Sequence, residues 1–350
     1  MMKKVQNPGS RQKATASDVA RRAGVSKWTV SRAFTEGASI SATTRKLVLA
    51  SAKELGYRPN LLARSLSQKS SHIIGIVVDQ LGNPNLNALL DEVTQQLQSK
   101  GYMALLLNIT SESSYESAMT LADQLQIDGL LFLGTVLSDE LIALAQDIHH
   151  IPLVQLYRNN NNPLIPVVST DGYQAGQHIA QLLYDEGYRK FGYMIGPNND
   201  STPLLRFEGY RDALSSRGSQ VITTIYAHHY QRHSGYEALL SYLQTTPIGE
   251  RIDALFCEND IIAVGAIDAL SDFGGLHNIG IVGFDDIDLA SASAYQLTTY
   301  AQPMKKMVAD AISRIMQPHK TKDASLYTGE LKLRRSHLRI KTQRLHKPVS

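Results

Sequence analysis

The chain has 350 residues, 43% of them hydrophobic and 19% charged, which suits a globular protein of two or three domains at roughly 150 residues each. No apolar run approaches the ~18 residues of a membrane span, and the N-terminus, MMKKVQNPGSRQKATAS, lacks the apolar core of a secretory signal. A single cysteine, Cys257, excludes an internal disulfide framework and fits a reducing compartment, so the expected location is the cytoplasm. The net charge of +3 conceals a division: residues 1–70 carry fourteen basic and three acidic side chains, whereas residues 71–350 carry twenty-one and twenty-nine. A small basic head on an acidic body suggests that the head meets a polyanion.

Residues 1–13 read as a polar arm without regular structure. A helix-turn-helix unit follows over 14–59. Thr15, with Asp18 three residues on, predicts a helix start. Val19, Ala20 and Ala23 would line its buried face, and Gly24 can take the left-handed conformation that ends it. Ser26 caps a second helix with Val30, Ala33 and Phe34 inward. A third, capped near Ser41, has Leu47, Val48, Ala52 and Leu55 on its apolar side and Gly56 at its end. On the second helix Trp28, Ser31 and Arg32 share one outer surface beside Lys27 and Thr29. Two short helices at a glycine turn place such a surface in the DNA major groove, where Arg32 could clasp a guanine and Ser26, at the helix start, could meet a phosphate. Trp28, the single Trp, fits either that surface or the small core.

The run DVARRAGVSKWTVSR (18–32), followed by SATTR (41–45) and LGYRPN (55–60), resembles the DNA-binding head of the lactose-repressor (LacI) family. The resemblance implies DNA contacts from Thr15, Ser26, Lys27, Trp28, Thr29, Ser31 and Arg32. The segment NLLARSL (60–66) resembles that family's hinge, a helix and linker expected over 60–71. Asn60 would open this helix, Leu66 would wedge into the minor groove, and Ala63 would let paired hinge helices approach. An apolar wedge unstacks one base step and kinks the duplex, which admits further contacts.

From residue 72 the rhythm changes to short apolar runs: HIIGIVVD, YMALLLNI, DGLLFLG, IPLVQLY, KFGYMIG, VITTIYA, DALFCEN and IGIVGFDD. Helical stretches at about 86–100, 115–126, 139–148, 173–186, 204–216, 233–245 and 260–273 lie between them. This alternation predicts parallel sheets built from βαβ units, and its restart near Asp171 predicts two lobes. The fold class expected is therefore α + α/β: a small all-α head with a hinge helix, joined to a two-lobed α/β domain over 72–340. The motifs RFEGYR (206–211), ENDIIAVGA (258–266) and GIVGFDD (280–286) resemble the same family's periplasmic-binding-protein-like effector domain. That resemblance implies three crossings between lobes, expected near 170, 299 and 325. Lobe 1 would take about 72–170 and 300–325, and lobe 2 about 171–299 and 326–340. Residues 341–350 form a basic tail.

Open α/β sheets bind ligands beyond the carboxyl ends of their strands. Those ends give Asp79, Tyr157 with Arg158, the 197–206 loop, Tyr230, Asn259 and Asp285. Asp accepts from paired hydroxyls, Arg donates in a fork, Asn does both, and an aromatic ring covers a sugar's apolar face. Arg206, Asn259 and Asp285 match family positions that contact effector, and Tyr230 falls where an aromatic often sits. Asp79 and Arg158 are candidates by location. The chain departs from the family at NPNL (83–86), where Asn-Pro is commonly followed by an aromatic ring.

No dinucleotide or Walker glycine loop, no HExxH, CxxC or GxSxG is present, so no enzyme activity, cofactor or metal is expected, the cluster His228, His229 and His233 included. The reading is a DNA-binding transcriptional regulator, a repressor by the resemblance, whose operator affinity is set by a small effector. The effector is expected to be a sugar or sugar derivative, purines being the family's other class. The alternative is a carbohydrate-binding protein without a regulatory role. The basic tail lacks leucine heptads, which favours a homodimer on a pseudo-palindromic operator over a coiled-coil tetramer.

Overall fold

The computed structural model describes residues 13–35, 37–58, 70–79, 81–109, 112–134, 143, 151–157, 165–197, 204–274, 279–318 and 324–339. The hinge candidates Asn60, Ala63 and Leu66, the effector candidate Arg158, the tail and all but one residue of the helix expected over 139–148 lie outside them. The chain divides into two compact units, residues 1–71 and 72–350.

In the first unit three helices run Ala16–Ala23 (α1), Lys27–Ala33 (α2) and Ala42–Leu55 (α3). Each starts on a side-chain oxygen that takes up an otherwise unpaired N–H. The Thr15 hydroxyl accepts from the Asp18 N–H while the Asp18 carboxylate accepts from the Thr15 N–H, and that pairing holds the Asp18 carboxyl below its usual range. Ser26 accepts from Thr29 N–H and Ser41 from Thr44 N–H, both at 3.1 Å. Gly24 and Gly56 end α1 and α3 at φ of 65° and 64°. Three valines and four alanines make the core: Val19, Ala20, Ala23, Val30, Ala33, Val48 and Ala52. On α3 the buried stripe is Val48, Ser51 and Ala52. Leu47 and Leu55, expected inside, are 49% and 37% exposed: Leu47 lies about 100° around the helix from Val48, and Leu55 is the last residue of α3.

The second unit holds two six-stranded sheets. The first comprises Ile73–Val78 (β1), Met103–Asn108 (β2), Gly129–Leu133 (β3), Leu153–Leu156 (β4), Val167–Thr170 (β5) and Ser325–Tyr327 (β11), in the order β11-β5-β4-β3-β1-β2 and parallel throughout. The second comprises Phe191–Ile195 (β6), Val221–Tyr226 (β7), Ala254–Cys257 (β8), Gly280–Asp285 (β9), Thr298–Ala301 (β10) and Glu330–Lys332 (β12). Its order is β12-β10-β9-β8-β6-β7, with only the β10–β12 pair antiparallel. Helices Pro84–Ser99 (α4) and Glu112–Gln124 (α5) belong to the first lobe, and Gly172–Asp185 (α6), Arg206–Ser215 (α7), Arg232–Thr245 (α8) and Asp260–Asp272 (α9) to the second. Met304–Met316 (α10) buries Met307, Val308, Ala311 and Ile312 in the first lobe. Apolar clusters cover both faces of each sheet, which is why β1, β3 and β8 read as unbroken apolar runs.

The chain passes between lobes at Asp171, at Gln302–Pro303 and at Thr328–Gly329. The last two lie about three residues beyond the positions expected from sequence, because β10 continues to Ala301 in the second sheet and β11 to Tyr327 in the first. Within each sheet the order reverses around the first strand of its lobe, β1 and β6. A crevice therefore opens beyond the carboxyl ends of the strands.

Candidate functional site

On the head, the outer face of α2 is open. Lys27 and Ser31 are exposed and Trp28 is 67% exposed, so the single Trp is a surface residue and not part of the core. The Arg32 guanidinium lies 4.2 Å from the Trp28 ring centroid, a cation–π contact on the open face. The Ser26 and Thr29 hydroxyls are 2.9 Å apart at the helix start. Thr15 spends its hydroxyl on Asp18 at 2.7 Å and sits at the start of α1. The face thus offers one guanidinium, one ammonium and several hydroxyls, the side-chain chemistry that reads base edges and grips phosphates.

In the body, a solvent-open cleft lies between the two lobes, lined by residues of both. The first lobe contributes Asp79 after β1, Asn83, Asn85, Leu86 and Leu89 at the start of α4, Leu133 and Gly134 at the end of β3, and Tyr157 after β4. The second contributes Leu204 and Arg206 at the start of α7, Tyr230 after β7, Asn259 before α9 and Asp285 at the end of β9; Gln302 enters from the second crossing. Asp79, Arg206, Tyr230, Asn259 and Asp285, chosen from sequence, therefore face one cavity. In the departing NPNL run, Asn83 caps α4, Pro84 is its first residue, and Asn85 and Leu86 are buried where a ring was expected.

Helix packing fixes Arg206. A Cβ on Gly209 would fall 1.9 Å from the Tyr173 carbonyl oxygen, and one on Gly176 would fall 2.2 Å from that of Arg206, so α6 and α7 cross backbone to backbone. The largely buried Arg206 then donates from Nη1 to the Glu258 carbonyl at 2.5 Å and lies 3.5 Å over the Phe284 ring. The Glu258 carboxylate accepts from Gly196 N–H at 2.7 Å and from the Tyr230 hydroxyl at 3.0 Å, and the Tyr230 ring packs on Gly196. Asn259 accepts from Ile262 N–H at 3.2 Å.

Asp285 sits at φ 121°, a costly conformation for a residue with a Cβ. It accepts from Gln302 Nε2 at 2.7 Å, and Gln302 Oε1 accepts from the Thr170 hydroxyl at 2.6 Å. Burial pushes the Asp285 carboxyl up to about 8 against the pull of Arg206, with neighbouring Asp260 adding to the rise. Asp260 is itself raised to about 6 by burial, although Thr299 Oγ1 at 2.6 Å and Ile287 N–H at 2.9 Å both donate to it. Tyr157 also has a positive φ, 73°; its hydroxyl is buried and has no hydrogen-bond partner among the described residues. Asn83, Asn85 and Glu258 stand in motifs that the sequence singles out but are not among its candidate site residues, and neither is Gln302. Tyr157 is a strand end in sequence but not one of the candidate effector contacts. No local pattern marks Gln302, which only the crossing brings to the cleft.

Residues 71–324 match the family described as periplasmic binding proteins and sugar binding domain of LacI family, and residues 15–60 match bacterial regulatory proteins, lacI family. The HTH-type transcriptional repressor PurR of Photobacterium profundum is 29% identical over 89% of this chain and 93% of its own length. The HTH-type transcriptional regulator AscG of Escherichia coli is 30% identical over 86% and 91%. The fold matches a lac repressor dimer bound to operator and the anti-inducer ONPF, with a TM-score of 0.82, 24% identity, and 93% of this chain and all of that one covered.

Proposed function

The chain belongs to the lacI family of bacterial regulatory proteins, and from that premise we propose that it is a repressor whose operator affinity is set by a sugar or sugar derivative bound between the lobes. Its relatives are transcriptional regulators, not enzymes. The observation that carries the reading is the convergence of Asp79, Arg206, Tyr230, Asn259 and Asp285, from five separate segments, on one cleft. Two carboxyl groups, a guanidinium, an amide and a ring suit a compact polyol.

In this proposal α2 reads a half-site with Trp28, Ser31 and Arg32, while Ser26, Lys27 and Thr29 grip phosphates beside Thr15. Asn60, Ala63 and Leu66 act at the operator centre, and Arg158 joins the effector contacts. Two copies bind a pseudo-palindrome with half-sites about one helical turn apart. Effector and operator change each other's affinity by one reciprocal factor.

The test is a selection from random duplex DNA with the full chain at near-physiological salt, followed by titration of the enriched site with and without candidate effectors. Enrichment of a pseudo-palindrome whose affinity shifts with ligand is expected. Binding without sequence preference, or an operator affinity that no bound effector changes, overturns the proposal.

A further inference from the structure

We propose that Arg334, which follows β12 and does not line the cleft, is a positioning residue of the effector site: through its ion pair with Asp286 it holds the turn that presents Asp285. This rests on the cleft being the effector site and adds a residue that acts on it from behind. At the end of β9 two consecutive residues that carry a Cβ have positive φ, Asp285 at 121° and Asp286 at 60°. Such a pair persists only where its surroundings over-determine it. Asp285 lines the cleft and accepts from Gln302. Asp286 instead meets Arg334, whose Nη2 donates to its carboxylate at 2.6 Å. At 18% and 24% exposure, this pair is little screened by water.

The other arm of the guanidinium, Nη1, donates to the Leu297 carbonyl at 2.7 Å, so the fork ties the turn after β9 to the entry of β10. Its backbone is anchored too. Arg334 N–H donates to Thr298 Oγ1 at 2.8 Å, Ile281 N–H donates to the Ser336 carbonyl at 2.8 Å, and Ser336 Oγ donates to the Ile281 carbonyl at 2.6 Å. Without the guanidinium, a shielded Asp286 carboxylate at positive φ loses its counter-charge. The backbone relieves both by relaxing toward the extended region, which turns Asp285 out of the cleft. The groups that face Asp285 are Arg206 on α7, Glu258 and Asp260 at the start of α9, Gln302, and Tyr157 from the first lobe. Burial among them pushes the Asp285 carboxyl up to about 8. Its titration therefore gauges its position: displaced into water, it returns toward an ordinary carboxyl and its pH-dependent cost to stability disappears.

The experiment is a double-mutant cycle of Arg334→Gln and Asp285→Asn in the full chain, read by urea unfolding at pH 5 and pH 8 with circular dichroism. Arg334→Gln should raise the unfolding equilibrium constant at pH 5, and by about tenfold less at pH 8, where the parent alone bears the cost of ionising a buried Asp285. In the Asp285→Asn background its effect should be the same at both pH values. An equal effect at both pH values in both backgrounds makes Arg334 a structural residue only. A larger effect at pH 8 means that only its charge acts on Asp285. Either result overturns the proposal. Arg334→Lys keeps the ion pair and should restore the parent's pH profile. Should Arg334→Gln not fold, Asp286→Asn removes the charge from the other end at a residue type that tolerates positive φ, and should shift the profile in the same direction. Calorimetry with ribose, cellobiose and hypoxanthine adds the binding readout: a probe that the parent binds should bind Arg334→Gln tenfold or more weakly, and undiminished affinity overturns the proposal. Silence from all three in the parent counts against the effector reading, and the pH cycle then decides the role of Arg334 by itself.

Discussion

Asp285→Asn should stabilise the body while disabling its response to effector. The Asp285 carboxyl is held at about 8 in the fold against an ordinary value near 3.8. Between those two values the unfolded chain gives up the proton and the folded chain keeps it. Stability therefore falls as pH rises through that window and levels off above it. At about 1.4 kcal/mol per pKa unit, the cost reaches an upper bound of about 5 kcal/mol by pH 8 and about 1.5 kcal/mol at pH 5. Asp285 is only partly shielded from water, and Asn forgoes the attraction to Arg206, so less than half of this is realised. The Gln302 bond survives, because an amide oxygen accepts as a carboxyl oxygen does. The variant should thus exceed the parent by about 2 kcal/mol at pH 8 and by less than about 1 kcal/mol at pH 5. Asp260 titrates in both proteins and cancels to first order. Urea titrations at pH 5, 6.5 and 8, followed by far-ultraviolet circular dichroism, measure this; Trp28 reports on the head, so its fluorescence is the wrong probe. A variant less stable than the parent at pH 8, or an advantage that does not grow with pH, would refute the reasoning and show Asp285 ionised and paired with Arg206.

Gly196→Ala puts a Cβ 2.1 Å from Tyr230 Cε1, which pushes that ring out of place; effector affinity should fall tenfold or more in calorimetry with operator binding retained. Ser41→Ala removes the α3 cap and should destabilise the head by about 1 kcal/mol, read from Trp28 fluorescence during urea unfolding. Arg32→Ala should cost about 1–3 kcal/mol and relax base preference at one operator position, whereas Lys27→Ala should weaken binding to all sequences and lower the salt slope by about one. Repeating the DNA selection and a salt titration on each variant distinguishes these outcomes.

The parts of the molecule legible in sequence are those decided locally. Thr15, Ser26 and Ser41 cap helices with their own side chains, and Gly24 and Gly56 end them, so the head could be read almost residue by residue. Leu47 and Leu55 are exposed because one sits off the buried row of α3 and the other at its last residue, a difference hydrophobicity alone does not register. In the body, strands buried on both faces announced themselves as apolar runs. β5, β10, β11 and β12 did not, being three or four residues long and paired with distant partners, as β11 is with β5. The cleft residues at strand ends were found because strand ends were found. Asn83, Asn85 and Gln302 are placed by a helix entry and a crossing, which have no period to detect.

The crossings give the cleft its leverage. Asp171 N–H donates to the Tyr327 carbonyl at 2.9 Å, joining the first crossing to the third. Gln302 joins the second to the first through Thr170. Gly329 passes so close to the Ala301 carbonyl that a Cβ would fall 2.3 Å from it, so the second and third also touch. Three segments laced in this way resist independent bending, and relative motion of the lobes must turn about them together. Gln302 belongs to this lacing and also holds Asp285, a residue already at a strained φ in the cleft. A ligand that hydrogen-bonds Asp285 therefore competes for, or adds to, an interaction that forms part of the hinge. Binding energy spent at Asp285 differs between lobe arrangements because Gln302 cannot keep both its partners unless the crossings stay in register. A differential of that kind is what any shift in conformational population requires.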